Sequence, residues 1–376
     1  MEQRMSIIIA GDFSLQGRLT KCTDKDVLRH LLWGGVGYCK LADYSIVNFE
    51  SPITTNNLAI LKDGPSLKNP VEAIPVLKDI GFNVVTLANN HLKDYGSQGV
   101  LDTLRFCKEQ GIMKVGAGES LEEARKPIIL RKETLNIGIL NVCEHEASIA
   151  TESSPGAAPL ELANLFYDIK ELRKEVDKVI VIIHGGCEHY QLPTPRMKRD
   201  YHLIIDIGAD VIVNHHQHCY SGYEIYNGKP IFYGLGNFFF DNPRKRTDKW
   251  NEGLLLKLDI SMEDTHFELI PYNQCDQDPV IIIKEYDEVK DKIEELNAII
   301  ADDKLLNEHF EKLVESKKPL YPFLPYGNHY LRALYNRNYL PDGMSESRKA
   351  KIENAISCET HREVLLRYFE RTLKKL

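Results

Sequence analysis

Residues 211–241 read VIVNHHQHCYSGYEIYNGKPIFYGLGNFFFD, and their interpretation decides the fold. The apolar run Val211-Ile212-Val213 has the length and composition of a short buried strand. It leads directly into His215, His216 and His218. His216 and His218 are an H-x-H pair, and in an extended segment side chains two apart face the same side. Two imidazoles converging on one point suit Zn, Mn or Fe. A His-rich surface loop would give the same letters, so the choice rests on the rest of the chain.

The same pattern occurs four more times. Residues 6–10 (SIIIA) lead into Gly11-Asp12, and residues 44–47 (YSIV) into Asn48-Phe49-Glu50. Residues 84–88 (VVTLA) lead into Asn89-Asn90-His91, and residues 179–183 (VIVII) into His184-Gly185-Gly186-Cys187-Glu188. In α/β sheets ligands bind beyond the carboxyl ends of the strands, where residues from separate strands converge. Five strand ends carrying carboxylate, amide or imidazole therefore predict one metal site.

The chain has 376 residues, 43% hydrophobic and 27% charged, which suits an ordinary globular protein of one large or two smaller domains. Its net charge of -8 argues against nucleic acid or an anionic membrane as partner. No stretch approaches the roughly 18 apolar residues of a membrane span. The opening MEQRMSIIIAGD carries no signal-peptide pattern, so a cytoplasmic protein is expected. Eight cysteines without a C-x-x-C pair read as free thiols. Cys187 and Cys219, inside the His motifs, read as packing residues, with thiolate ligation the alternative.

Between the strand ends the spacing predicts helices over residues 24–32, 98–110, 158–174 and 196–208. Residues 69–79 read as a helix closed by Gly81, and Ser120 with Glu123 as a helix start. Residues 127–130 and 136–142 read as a β-pair, and 229–233 and 253–260 as further strands. Composition turns Lys/Glu-rich from Lys284, with helices expected over 287–300, 304–316, 345–357 and 360–376. The chain is accordingly divided into residues 1–278 and a helical C-terminal extension, 279–376. The aromatic stretch over residues 320–343 reads as a seam packing the extension on the core; a pocket or dimer interface with His329 is the alternative.

Taken in order, the motifs are Gly11-Asp12 with Arg18, Asn48-Phe49-Glu50, Leu87-Ala88-Asn89-Asn90-His91 with Asp94-Tyr95-Gly96, His184-Gly185-Gly186-x-Glu188, His215-His216-x-His218 and Tyr233-Gly234-Leu235-Gly236-Asn237-Phe238. This series resembles the poly-γ-glutamate capsule-biosynthesis (CapA-type) family, a branch of the calcineurin-like metallophosphoesterases. The resemblance covers roughly residues 5–260. It implies a four-layer α/β/β/α sandwich with one or two divalent transition metal ions (Mn, Zn or Fe) at the shared edge of two sheets. It also implies Asp12, Glu50, Asn90, His184, His216 and His218 as metal ligands, Glu50 as a bridging carboxylate. His91 is implied as the acid that protonates the leaving group or steadies the phosphate. By the same resemblance Arg18 grips an anionic substrate with its fork, and Glu188 orients His184 or acts as a base.

The chain also departs from that pattern. The phosphoesterase D-x-H is Asp12-Phe13-Ser14 here, a Glu replaces the usual bridging Asp, Gly185 stands where many members carry Trp, and His189 precedes Tyr190. A site short of one imidazole is expected to hold one metal, or a second one weakly. Glu50 as a turn cap and Arg18 paired with a surface carboxylate are the competing readings of those residues. His215 is expected to face solvent, and His189, Asn237 and Asp241 read equally as site support or loop structure. The expected function is a metal-dependent hydrolase of the CapA type, by default on phosphoesters, with an acyl or amide substrate related to polyglutamate as the variant. The alternative is a non-catalytic assembly factor for a capsule polymer, with a vestigial metal site. Expected partners are an anionic small molecule or polymer, and a second copy or a biosynthetic protein docking on the C-terminal helices.

Overall fold

Strand β1 (Met5–Ser14) sets the architecture. Met5, Ile7 and Ile9 fall in one buried cluster, while Ile8 and Ala10 fall in another. Period-two alternation puts them on opposite faces of a sheet that is covered on both sides. The computed structural model describes residues 3–242, 248–317, 329–335, 337, 339–340 and 345–373. The aromatic stretch over 320–343 therefore lies largely outside the described residues.

β1 is central in an eight-stranded sheet. Parallel to it run β2 (Tyr44–Phe49), β3 (Val84–Thr86) and β4 (Met113–Val115) on one side. The short ladder of β5 (Ala117–Gly118) and β8 (Gly156–Ala157) follows. The second sheet orders β11 (Tyr223–Tyr226), β12 (Lys229–Phe232), β10 (Val211–His215), β9 (Lys178–His184), β7 (Leu135–Cys143) and β6 (Ile128–Lys132), parallel in its middle four. β13 (Asn237–Phe240) returns to pair with the end of β1. On the other flank of β1 lie β14 (Glu252–Ile260), β15 (Thr265–Gln274) and β16 (Ile281–Ile283), all antiparallel. Seven of these strands, β4, β5, β8, β11, β13, β15 and β16, had no strand expectation from the sequence.

One core cluster joins the facing sides of the two sheets, with Ile7, Ile9 and Leu256 against Ile139 and Ile180, and reaches Leu165, Ile169 and Tyr201 of the helices beyond. The second joins the far face of the first sheet to Ile74, Leu77, Val100 and Leu104. The layers therefore run helix, sheet, sheet, helix, the four-layer α/β/β/α sandwich expected. The predicted helices appear as Lys25–Leu31, Ala73–Ile80, Gly96–Gln110, Leu162–Leu172 and Pro195–Ile207.

The boundary placed at 278 falls inside the packed structure. β16 extends the first sheet beyond it, and helix Lys290–Ala301 buries Ile293, Leu296, Ile299 and Ile300 in the inter-sheet cluster. Each such aliphatic side chain contributes about 1.5–3 kcal/mol by burial. Composition shifts at 278 because these helices keep one charged face, but the packed layers continue past it. No helix among the described residues is long and apolar enough to cross a membrane.

Candidate metal centre

The carboxyl ends of β1, β2, β9 and β10 and the turn after β3 meet at one point. β1 reaches it through a bulge. Ala10 pairs with Val47 and Asp12 with Asn48, so Gly11 is an extra residue that re-aims Asp12. A Cβ at Gly11 would lie 1.9 Å from the Gly236 carbonyl, the same carbonyl that accepts from the Asp12 backbone N–H at 3.0 Å. Only glycine allows that approach.

Asp12, Glu50 and His184 are all buried, and their donor atoms lie within 4.8 Å of one another. His184 Nε2 is 3.1 Å from Asn90 Oδ1 and 3.0 Å from His216 Nδ1. Such spacing matches two ligands on one ion, since bonds of about 2.1 Å at tetrahedral or right angles put donors roughly 3 Å apart. His218 Nδ1 lies 3.3 Å from Asp12 Oδ2, and its Nε2 lies 3.7 Å from Glu50 Oε1. The Asn237 side chain braces this ring, with Oδ1 2.9 Å from His218 Nδ1 and Nδ2 donating to the His218 carbonyl.

Neither carboxylate oxygen of Glu50 has a hydrogen-bond partner among the described residues. Glu50 is therefore no turn cap. Burial pushes its pKa well above the usual range, and the nearby Asp12 adds to the rise. A fully buried carboxylate without a partner costs several kcal/mol as an anion, so the position suits a cation. Asp12 behaves oppositely: burial alone would raise it, but the His218 hydrogen bond and the His184 and His218 fields hold it below the carboxylate range. Burial works against a charge on His218 as well, yet Glu50 and Asp12 push its pKa up to about 10. Burial lowers His184 and His216, keeping both in the neutral form that binds metal. The donor set of carboxylate, amide and neutral imidazole thus fits a divalent transition metal.

His91 sits beside the cluster. Its Nδ1 lies 2.6 Å from Asp94 Oδ2, and its Nε2 faces Glu50 Oε1 at 3.8 Å. Lys62 Nζ closes the group, 2.8 Å from Asp94 Oδ1 and 3.1 Å from His91 Nδ1. Asn48 Nδ2 bridges Asp12 Oδ1 at 2.6 Å and His184 Nδ1 at 3.1 Å. Sequence reading gave neither Lys62 nor Asn48 a role. Asn48 stands in a quoted motif and was recognisable there; Lys62 lies in a loop with no pattern to mark it.

Several expectations are corrected. His216 (φ 89°) and His218 (φ 55°) have left-handed backbone, so their convergence comes from a tight turn and not from strand alternation. His215 ends β10 and is buried, with neither ring nitrogen hydrogen-bonded among the described residues and Nδ1 3.9 Å from Asp12 Oδ1, so it does not face solvent. The Arg18 fork is committed to the chain itself: Nε and Nη2 each donate to Asp241 at 2.9 Å, and Nη1 donates to the Gln277 carbonyl at 2.6 Å. That settles Asp241 as loop structure, while Asn237 supports the site. Asn48 contacts His184 through Nδ1, while Glu188 stands part-exposed beside His189 with its charge felt at Glu50, His216 and His218. Ser14, in the position of the absent histidine, bonds Ser51 Oγ at 3.0 Å. Cys219 is a packing residue, its thiol pushed up to about 12 by burial.

Residues 6–242 match the family described as bacterial capsule synthesis protein PGA_cap. The chain belongs to that family. It is 32% identical over 298 residues to the PGA biosynthesis protein CapA of Bacillus subtilis, covering 78% of this chain and 77% of that protein. It is 29% identical over 254 residues to the capsule biosynthesis protein CapA of Bacillus anthracis, covering 65% and 62%. Among solved structures, the calcineurin-like phosphoesterase YfkN from Bacillus subtilis is similar at a TM-score of 0.42 and 13% identity, over 82% of this chain and 99% of that one. A likeness at that level assigns no residue a role. The PGA_cap match ends at 242, before the C-terminal helices.

Those helices nevertheless reach the site. Glu144, buried after β7, accepts from the Arg196 guanidinium, from Thr360 Oγ1 at 2.7 Å and from the Thr360 backbone N–H at 3.2 Å. Gly185 makes room for it, since a Cβ there would lie 2.7 Å from Glu144 Cγ. The neighbouring Glu146 accepts from Asn354 Nδ2 at 2.9 Å and faces His216 Nε2 at 4.0 Å.

Proposed function

We propose that this PGA_cap protein is a metal-dependent hydrolase, acting by default on phosphoesters at a mono- or dinuclear centre. The observation that carries the reading is the buried, unpartnered Glu50 carboxylate among Asp12, Asn90, His184, His216 and His218. These six residues would hold the metal. When bound, a divalent cation stabilises charge on the oxygens of a phosphoryl group and lowers the pKa of a neighbouring water. The chain's own residues supply the rest. Asp94 fixes the His91 ring through Nδ1, leaving Nε2 directed at the cluster to give a proton to a leaving oxygen. Asn48 holds Asp12 and His184 in register. Asn237 does the same for His218.

The printed names of the relatives, PGA biosynthesis and capsule biosynthesis proteins, favour a polymer-building context and an anionic polymer as the molecule in whose assembly the reaction takes part. A non-catalytic assembly role is the second reading, favoured by those names and by the loss of one imidazole at Ser14. The decisive experiment measures bound metal in protein purified without chelator, then turnover of bis-p-nitrophenyl phosphate and p-nitrophenyl phosphate. Stoichiometric metal with turnover supports the hydrolase. Full metal with no turnover on any ester or amide probe replaces it with the assembly role.

A further inference from the structure

A cavity of about 230 Å³ opens beside the metal centre, with Lys62, Asn90 and Glu146 on one side and Ala350, Glu353 and Asn354 on the other. Asn90 belongs to both cavity and cluster, and Glu146 stands between the cavity and His216. The far wall is helix Glu346–Ser357, which lies outside the part of the chain that the family match covers.

That wall is fixed in place. The Asn354 amide donates to Glu146, and its Oδ1 lies 2.6 Å from His361 Nδ1. Just beyond the helix, the His145 backbone N–H donates to Glu359 at 2.8 Å, and the Arg196 backbone N–H donates to Glu363 at 3.1 Å. Hydrogen bonds to charged groups contribute more than ordinary ones, so these contacts tie the wall to the loop after β7 and to the start of helix Pro195–Ile207.

The charge of the lining is informative. Asp63, Glu146 and Glu353 bring three carboxylates, while the one lysine, Lys62, is tied to Asp94 at 2.8 Å. A free dianion would be repelled from this side of the centre, whereas a group bearing N–H donors or positive charge would be held. The volume is below the roughly 300 Å³ of ordinary small-molecule sites, so one compact unit fits and not a length of polymer.

Building on the hydrolase reading, we infer that helix Glu346–Ser357 is the specificity wall of the centre, and that the substrate group it admits carries an ammonium or amide N–H next to the reacting ester. Glu353, exposed at the cavity, is the specificity-determining residue.

The test is equilibrium binding to metal-loaded, full-length protein, using O-phosphoethanolamine and ethyl phosphate, which differ by the ammonium group. Phosphoethanolamine is expected to bind about fivefold more tightly, the scale of a part-exposed charge pair. Glu353→Lys should abolish or reverse that preference, and Glu353→Gln should reduce it, with metal content unchanged in both. Equal binding of the two esters, binding of neither, or a preference that survives Glu353→Lys overturns the inference. Discriminating binding without turnover of either ester leaves the specificity wall standing and removes the hydrolase reading instead.

Discussion

Glutamine at position 50 keeps the volume of the glutamate and removes its charge, which makes Glu50→Gln the sharpest probe of the centre. The variant is expected to stay folded and to lose metal affinity by more than the roughly 10–100-fold that removing an outer-shell partner costs. Elemental analysis after dialysis against metal-free buffer checks it; unchanged stoichiometry would remove Glu50 from the ligand set. His218 adds a pH dependence. With its folded pKa pushed up to about 10, this ring carries a proton at neutral pH that a bound cation must displace. Metal affinity should therefore rise with pH, about tenfold per unit for each proton released, and a flat profile from pH 6 to 8 would contradict this. His91→Ala should leave metal in place while slowing ester turnover by about 10²–10⁴-fold. Retained activity would make His91 a structural residue.

The strand ends were legible in the sequence because each buried apolar run stops where its candidate ligand begins, and β1, β2, β9 and β10 each deliver a candidate ligand within a few residues of the strand end. Geometry within the turns was not legible: nothing in H-x-H says that His216 takes a φ of 89°. Backbone of that kind costs of order 1–3 kcal/mol and persists where its surroundings over-determine it, here Asp12 accepting from the His216 N–H at 3.2 Å. The docking of the C-terminal helices was hidden for a different reason. Glu144 and Thr360 are 216 residues apart, and the helical periodicity that begins at Thr360 carries no mark of so distant a partner. Burial alone would raise the Glu144 pKa, but Arg196 and the Thr360 hydroxyl hold it below the usual range. A depressed folded pKa means that the stabilisation is complete above the unfolded value, about 4.5, and is lost as pH falls through the lower folded value. Glu144→Gln should thus cost about 3 kcal/mol at pH 7, as for a broken buried pair, and the gap to wild type should narrow below about pH 4.5. Urea denaturation at the two pH values measures it; a gap independent of pH would deny the ion pair its role.

The two sheets share one candidate ligand cluster, and the chain separation within it is large: Asp12 and His216 are 204 residues apart. A site built from such distant segments has none of its geometry until both sheets have formed and met. Loop closure over that distance is costly and slow, so the cluster belongs to the last steps of folding. The consequence is kinetic. A cation that binds only the finished cluster stabilises the native state without stabilising the transition state, and so it acts as a brake on unfolding. Saturating metal at about 100 times its dissociation constant adds about 2.7 kcal/mol, roughly a hundredfold in the unfolding rate, while the refolding rate stays where it was. Stopped-flow unfolding and refolding with and without chelator separates the two arms. Faster refolding in metal would place the cluster early on the pathway, with the sheets drawn together around the ion.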